Sequence, residues 1–327
     1  MPASIVTVTL SPALDIELVV DELLPEFKLV ATAHRRDPGG GGVNVARVLH
    51  RLGLPVTALL ATGGGVGAEL ADRLRSDGLA VEQLPQSSPT RESFAVRDLA
   101  TGRQYRIGVP APPLDDVERD TRAIVTAADD ADIVVLSGRL PESTPTDLYR
   151  RVVDELPNPV TIVDTSGPPL HEVVLGRASI VKPSRRELST IVGRRFDDAA
   201  GIAKAAHEVL GMGSVGALVT SLGGAGALLA RRGEQDVWFT SPPVVAVSAV
   251  GAGDSLVAGI TAGLAGGDDL VTSVRRGVAA GSATVMSPGT DLCQPEDVER
   301  LVGLVEVTEG YPATVATHPE LAQYRPS

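Results

Sequence analysis

The residues best suited to chemistry lie in one stretch, Ser248-Ala-Val-Gly-Ala-Gly-Asp-Ser-Leu-Val-Ala-Gly259. Gly251 and Gly253 allow backbone N–H groups to point into one concavity. The helix of small residues expected to start there adds about half a positive charge. That is a hole for an anion, or for negative charge developing on a transferring group. Asp254 falls in the first turn, where the helix field is expected to keep it ionised and able to accept a proton. The stretch follows an apolar run, Val244–Val247, which reads as a strand. The plain alternative is that the glycines serve tight packing and the aspartate caps a helix.

A second cluster, Gly39-Gly-Gly-Gly-Val-Asn-Val-Ala-Arg47, also runs into a helical pattern. Four glycines are costly in backbone entropy, so something is expected to approach this backbone closely. Asn44 offers both a donor and an acceptor, which suits sugar hydroxyls. The alternative is a flexible loop. A third cluster, Gly63-Gly-Gly-Val-Gly-Ala68, fits a loose dinucleotide fingerprint, with the acidic Glu82 downstream. It supports a rival reading as a nicotinamide-dependent oxidoreductase, but it follows the second strand rather than the first and leaves Asp254 unexplained. The chain has no G-x-x-x-x-G-K-[ST], H-E-x-x-H or G-x-S-x-G motif. His34, His50, His171, His207 and His318 show no metal-ligand spacing.

These residues must be positioned by a fold of the right class. The chain has 327 residues, 43% hydrophobic, with 35 glycines and only 3% aromatics, so its core must be built from Val, Leu, Ile and Ala. A net charge of −12 argues against nucleic acid or an anionic membrane as partner, and requires that contacts to an anionic substrate be local. The single cysteine, Cys293, rules out an internal disulfide framework and any cysteine-based zinc site. No basic n-region opens the chain, the first basic residue being Lys28. The longest uncharged run, Val209–Ala230, holds six glycines and reads as strand, turn, strand. A cytoplasmic protein is expected.

Short apolar runs at Ile5–Leu10, Val56–Leu60, Ile133–Leu136, Val160–Val163 and Ala217–Thr220 read as parallel strands covered on both faces. Helical patterns at Val43–Leu52, Gly67–Asp77, Leu114–Ala127, Thr144–Glu155, Ala199–Leu210 and Ser255–Leu264 alternate with them. The sum is a βαβ architecture. Two more polar, strand-like segments, 14–36 and 91–109, break the rhythm and read as an antiparallel flap outside the main sheet. The organisation expected is one domain over 1–304 with this flap as a lid, followed by an irregular tail over 305–327, which holds Pro312, Pro319 and Pro326.

The order and wording of four motifs then carry a resemblance. PGGGGVNVAR at 38–47, VKPSRREL at 181–188, VTSLGGAGALL at 219–229 and VGAGDS at 250–255 resemble the ribokinase-like (PfkB) carbohydrate kinases over most of the chain. TLSPALD at 9–15, EFKL at 26–29, PTRESF at 89–94, RQYRI at 103–107 and GTDLC at 289–293 resemble its phosphofructokinase subgroup. The resemblance implies a three-layer α/β/α fold with a mostly parallel central sheet and a small β-sheet lid. It implies ATP and Mg2+, with K+ as a further candidate. The implied reaction is phosphoryl transfer to a sugar phosphate, with fructose 6-phosphate as acceptor, against a 1-phosphofructokinase, a tagatose-6-phosphate kinase or a non-catalytic sensor as alternatives. It also implies a homodimer joined through the lid.

By the same resemblance, Asp254 matches the catalytic base, and Gly251, Ala252 and Gly253 match the anion hole. Asp15, Gly40, Gly41 and Asn44 match contacts to the sugar hydroxyls. Lys28, Arg91 and Arg106 match residues that receive the sugar phosphate. Lys182, Ser221, Gly223 and Gly226 match the nucleotide side, and Glu187 matches the acid that organises magnesium through water. Ser248 and Val250, with Ala283 and Ser287, match a monovalent-cation site. Four positions depart from the pattern: Ser184 replaces the usual Asn of the magnesium motif, Ala249 a Thr, Arg139 a substrate-side Ser, and Asp291 an Arg.

Overall fold

The computed structural model describes residues 2–157, 159–196 and 198–310. Its ten-stranded main sheet begins with β1 (Ile5–Thr9), whose five residues are all buried, as expected for a strand covered on both faces. On one side of it lie β4 (Val56–Thr62) and β5 (Ala80–Pro85). On the other, in order, lie β8 (Ile133–Ser137), β9 (Val160–Asp164), β10 (Ile180–Val181) and β11 (Ala217–Ser221). All these neighbours pair in parallel, with Ile5 opposite both Val56 and Ile133. Beyond β11, β12 (Ala227–Arg231), β13 (Val237–Thr240) and β14 (Glu306–Glu309) continue antiparallel. Strand β14 corrects the expectation of an irregular tail from residue 305: Val237 to Thr240 offer an open edge, and residues 306–309 close it. The rest of that tail, 311–327, lies outside the described residues.

Helices cover both faces. Against one face pack α1 (Gly41–Arg51), α2 (Gly64–Ser76), α8 (Ala252–Ala265), α9 (Leu270–Val285) and α10 (Pro295–Val302). Against the other pack α3 (Val117–Ala127), α4 (Leu148–Glu155), α5 (Pro168–Val174), α6 (Arg185–Val192) and α7 (Ala199–Leu210). Side-chain caps start several of them: Asp116, Asp198 and Asp269 each accept a backbone N–H of the first turn. The small residues of α8 have a packing reason. A Cβ on Gly259 would lie 2.7 Å from Gly277 Cα, and one on Gly263 2.6 Å from Ser273 Oγ, so α8 and α9 cross in close contact.

The lid is a four-stranded sheet in the order β3-β2-β6-β7, made of β2 (Ala13–Val20), β3 (Ala33–Gly39), β6 (Arg91–Asp98) and β7 (Gln104–Gly108). The two hairpins are antiparallel within themselves, but β2 and β6 join them in parallel. The expectation of a wholly antiparallel flap is corrected here. β2 follows β1 and β6 follows β5, and both of those strands run the same way, so both lid segments leave the main sheet in one direction.

The apolar run Val244–Val247, expected to be a strand, is irregular. Val245 is 84% exposed and Val247 59%, and the run belongs to neither sheet.

Candidate active site

The C-terminal ends of the parallel strands face the lid, and the N-termini of α1 and α8 open there. Helix α8 starts at Gly251, which caps it in the left-handed conformation with φ 77°. This places Asp254 in the first turn, half-buried. Its Oδ2 accepts a hydrogen bond of 2.8 Å from Asn44 Nδ2 on α1. Asn44, expected at the sugar, therefore also orients the carboxylate. The Asp254 carboxyl is pushed up to about 7. Burial is the main cause, and the negative charges of Asp164 and Asp15 add to it, while Asn44 and Lys182 pull the other way. Desolvation thus outweighs the helix field, which the sequence reading expected to keep this group ionised.

The glycine roles divide differently from expectation. Gly251 has the positive φ, and a Cβ there would sit 2.7 Å from Leu292 Cδ2. Gly253 has ordinary backbone angles, and its Cβ would meet only Lys182 Nζ, at 3.7 Å. A Cβ at Gly253 would point towards the ammonium rather than clash. Ala252, the first residue of α8, packs its backbone against Gly281 of α9, whose Cβ would lie 3.1 Å from the Ala252 carbonyl oxygen.

The run Gly39–Gly42 is tightly packed, not a flexible loop. A Cβ on Gly39 would overlap the Asp15 carboxylate, and one on Gly41 the Ser137 side chain and the Gly138 backbone N. Gly40 has φ 120° and abuts Thr9 and Pro12. The run seats the start of α1 against the ends of β1 and β8, within contact of the lid.

On the lid, Asp15 of β2 is held above the usual carboxylate range by burial and by Asp37, with Arg106 and Arg91 opposing that shift. Both arginines are therefore within electrostatic reach of Asp15. Asp15 stands opposite Ser93, two residues on from Arg91, and Arg106 stands opposite Ala95, two residues further along the same strand, so the two arginines take register positions on either side of Asp15. Arg91 donates to the backbone carbonyls of Val109 (2.9 Å) and Ser11 (3.2 Å), while its buried Nε has no partner. Burial lowers the Arg91 pKa, Asp15 raises it, and the nearby Arg139 cation lowers it again. Arg139, exposed on the loop after β8, thus joins this cluster. Among the described residues none of the three arginines has a carboxylate within ion-pair distance. Lys28 is exposed in the connection between β2 and β3.

Beneath Asp254, Lys182 is buried and its Nζ lies 3.0 Å from Asp164 Oδ1 at the end of β9. Burial alone would lower the Lys182 pKa, but Asp164, Glu187 and Asp254 outweigh it and keep the ammonium charged. Asp164 was not found by sequence reasoning. Its signal is a lone acid closing the apolar run Val160–Val163, where a parallel strand delivers its last residue to the site. Ser184, in the position where the resemblance expects Asn, caps α6. Its backbone N and its Oγ both donate to Glu187 Oε2 (2.7 and 2.8 Å), and Glu187 N donates to Ser184 Oγ. Glu187 is thus fixed by a capping box at the mouth of the site. Ser221 ends β11 and bridges to Ser184, its N donating to the Pro183 carbonyl (2.9 Å). The turn to β12 passes through Gly223, at φ 62°, and Gly226, at φ 112°, where a Cβ would overlap the Phe239 carbonyl oxygen.

The structure also brings 248–250 against 283–289. Val247 N and Ser248 N donate to the Val285 carbonyl, and Ser248 Oγ to that of Gly289. Val250 N donates to Ser248 Oγ (3.3 Å). The Ala283 and Thr284 carbonyls take Met286 N and Ser287 N, ending α9. Ala249 stands in this turn without a hydroxyl. Asp291 is paired with Arg35 (3.0 Å) and lies 3.9 Å from Arg51.

The dinucleotide-like run fails on geometry. Gly63 N at the start of α2 donates to Thr90 Oγ1 (3.0 Å), and a Cβ at Gly63 would overlap the carbonyls of Ser88 and Gln86. The connection from β5 to the lid thus covers the helix N-terminus where a pyrophosphate would sit. No helix among the described residues is long and apolar enough to cross a membrane.

The family model described as pfkB family carbohydrate kinase matches residues 4–297. The chain is 42% identical over 310 residues, 93% of its length and 91% of the relative's, to an ATP-dependent 6-phosphofructokinase isozyme 2 of Mycobacterium tuberculosis. It resembles the crystal structure of phosphofructokinase-2 from Escherichia coli in complex with fructose-6-phosphate. The TM-score is 0.84, with 34% identity over 92% of this chain and 98% of that one. The same Escherichia coli enzyme in complex with potassium matches with TM-score 0.86 and 35% identity, at the same coverage.

Proposed function

Since the chain belongs to the pfkB family of carbohydrate kinases, we propose that it transfers the terminal phosphoryl group of ATP to the free primary hydroxyl of fructose 6-phosphate. The observation that carries this reading is the arrangement around Asp254. A half-buried carboxylate stands behind the Gly251–Gly253 turn at a helix N-terminus, facing a lid whose Asp15 lies near Arg91 and Arg106, with Arg139 beside Arg91, and among the described residues no carboxylate comes within ion-pair distance of these three arginines. The relatives' names and the fructose-6-phosphate complex of the similar structure support the same acceptor.

When bound, ATP with a divalent cation supplies the phosphoryl group and shields its charge. Three carboxylates, those of Asp164, Asp254 and Glu187, act on the single ammonium of Lys182, a surplus of negative charge that suits a divalent ion. Among the described residues no three His, Cys, Asp or Glu side chains converge to ligate an ion directly. That arrangement fits Mg2+, which keeps most of its waters and takes phosphate oxygens as ligands. Glu187, fixed by Ser184, would hold such a water. The backbone carbonyls between 283 and 289 beside Ser248 and Val250 suit K+ in kind, being neutral oxygens.

Asp15 orients the sugar hydroxyls, and Arg91, Arg106 and Arg139 receive the phosphate already on the sugar. Asn44 occupies Oδ2 of Asp254, so Oδ1 is presented to the acceptor and takes the hydroxyl proton. The amides of Ala252 and Gly253 and the Lys182 ammonium stabilise the charge that develops on the transferring group.

Two copies pair through the lid. Phe27, Val30, Leu99, Ile107 and Val109 are apolar and exposed there, an unusual concentration for a small sheet facing water.

The test is an acceptor panel with ATP: fructose 6-phosphate, fructose 1-phosphate, tagatose 6-phosphate and fructose, with the product assigned by mass spectrometry and phosphorus NMR. Fructose 6-phosphate is expected to give the highest kcat/KM. A preference for fructose 1-phosphate would place the arginines at the other end of the sugar, and ATP binding without turnover on any acceptor would point to a sensor.

A further inference from the structure

The segment Gly289–Cys293, between α9 and α10, touches three parts of the molecule at once. At the lid, Asp291 Oδ1 accepts from Arg35 Nη2 of β3 at 3.0 Å, and Thr290 Oγ1 donates to Asp37 Oδ2 at 2.7 Å. A Cβ at Gly289 would lie 2.8 Å from Glu17 Oε2 of β2, so this backbone presses on the lid. At α1, Arg51 donates to the Leu292 carbonyl at 2.8 Å. At α8, the Gly289 carbonyl receives Ser248 Oγ, and Leu292 backs the Gly251 cap.

On the lid side, Asp37 stands directly opposite Asp15 in the β2–β3 register. Like charges facing each other across two strands repel. Arg35 Nε lies 2.6 Å from Asp37 Oδ2, while its Nη2 reaches Asp291. One guanidinium thus neutralises Asp37 and anchors it to the main domain, leaving Asp15 to the arginines of the site. Single half-exposed ion pairs contribute little, but here they share one arginine and one rigid loop.

We propose that Asp291 is a positioning residue which, through Arg35 and alongside the Thr290–Asp37 bond, clamps lid strand β3 to the loop supporting the turn before α8, and so holds Asp15 in register with Asp254. The clamp acts on the geometry between acceptor and base. Its loss therefore weakens productive sugar binding and leaves the nucleotide side, built on β9 to β12, largely untouched.

The experiment compares wild type, Asp291→Asn, Arg35→Gln and the double variant. The kinetic arm, which rests on the proposed activity, uses fructose 6-phosphate and ATP. Each single variant is expected to raise KM for fructose 6-phosphate at least fivefold with KM for ATP changed less than twofold, and the double variant to be no worse than the poorer single. Asp291→Glu, which keeps the charge, should recover at least half of the loss. The second arm is hydrogen exchange and needs no turnover. Amides of 33–37 and 39 should exchange at least fivefold faster in the single variants, with those of buried β1 and β8 unchanged. Additive effects, an equal loss towards ATP, unaltered KM values or unaltered exchange at 33–37 and 39 would each overturn the clamp. Wild-type protein that does not phosphorylate fructose 6-phosphate would instead overturn the proposed acceptor, and exchange alone would then decide on the clamp.

Discussion

Asn44 Nδ2, on the first helix, donates to Asp254 Oδ2, on the eighth, across 2.8 Å and 210 residues of sequence. The bond favours the charged form of a carboxylate that burial has pushed up to about 7. The base must be ionised to take a proton, so kcat/KM for the sugar phosphate is expected to rise with pH through about 7 and level off above it. Removing the Asn44 donor in Asn44→Ala leaves desolvation less opposed. The acidic limb should then move to higher pH, beyond any loss in KM. A limb that stays in place would mean that Asn44 serves only the sugar.

Asp254→Asn should reduce kcat by about 10²–10⁴, the range for a lost general base. It should also stabilise the fold at pH 8. The folded carboxyl binds its proton up to about pH 7, whereas the unfolded one releases it near the ordinary value of 3.8. The wild type therefore loses stability as pH rises between these values, and the uncharged Asn does not. The gain at pH 8 should be roughly 2–4 kcal/mol and should vanish below about pH 4, as read by urea unfolding.

Gly251→Ala and Gly253→Ala should separate stability from rate. The first forces a Cβ into a left-handed cap and against Leu292, costing about 1–3 kcal/mol. The second has room in the fold but points at Lys182 Nζ, so its melting temperature should stay near wild type while kcat falls. A Gly253→Ala enzyme with normal turnover would remove that glycine from the anion hole.

Arg91→Ala and Arg106→Ala should each raise KM for fructose 6-phosphate about tenfold or more, since a charge-assisted hydrogen bond contributes roughly 1.5–3 kcal/mol. KM for ATP should barely change, and the penalty should shrink for fructose, which carries no phosphate. Weakened ATP binding instead would assign the cluster to the wrong end of the site.

Ile107→Lys, on the exposed strand β7 of the lid, should convert a dimer to monomers at micromolar protein in light scattering. Its own folding should be unaffected, because Ile107 is 58% exposed. A dimer that survives with unchanged mass would place the interface elsewhere.

The sequence by itself determined the elements whose signal is local. The apolar β-branched runs from Ile5, Val56, Ile133, Val160 and Ala217 read as buried strands from their own residues. The motif order around Gly39–Arg47, Lys182 and Gly251–Asp254 carried the family and the position of Asp254 in the chain. What it left undecided depends on partners far apart in sequence. The pKa of Asp254 is set by burial and by Asp164 and Asp15, none of which its neighbours in the chain report. Asp164 becomes part of the site only because β9 ends beside β10 and Lys182. The glycine that needs a positive φ is Gly251 rather than Gly253, and Leu292 from a distant loop packs against that cap. The Gly63 run lost its nucleotide reading only when Gln86–Thr90 folded over it. Strand β14 exists because β13 left an edge to pair. Local propensity and pattern act over a few residues, whereas desolvation, charge and close packing act through space, and only the folded chain brings their sources together.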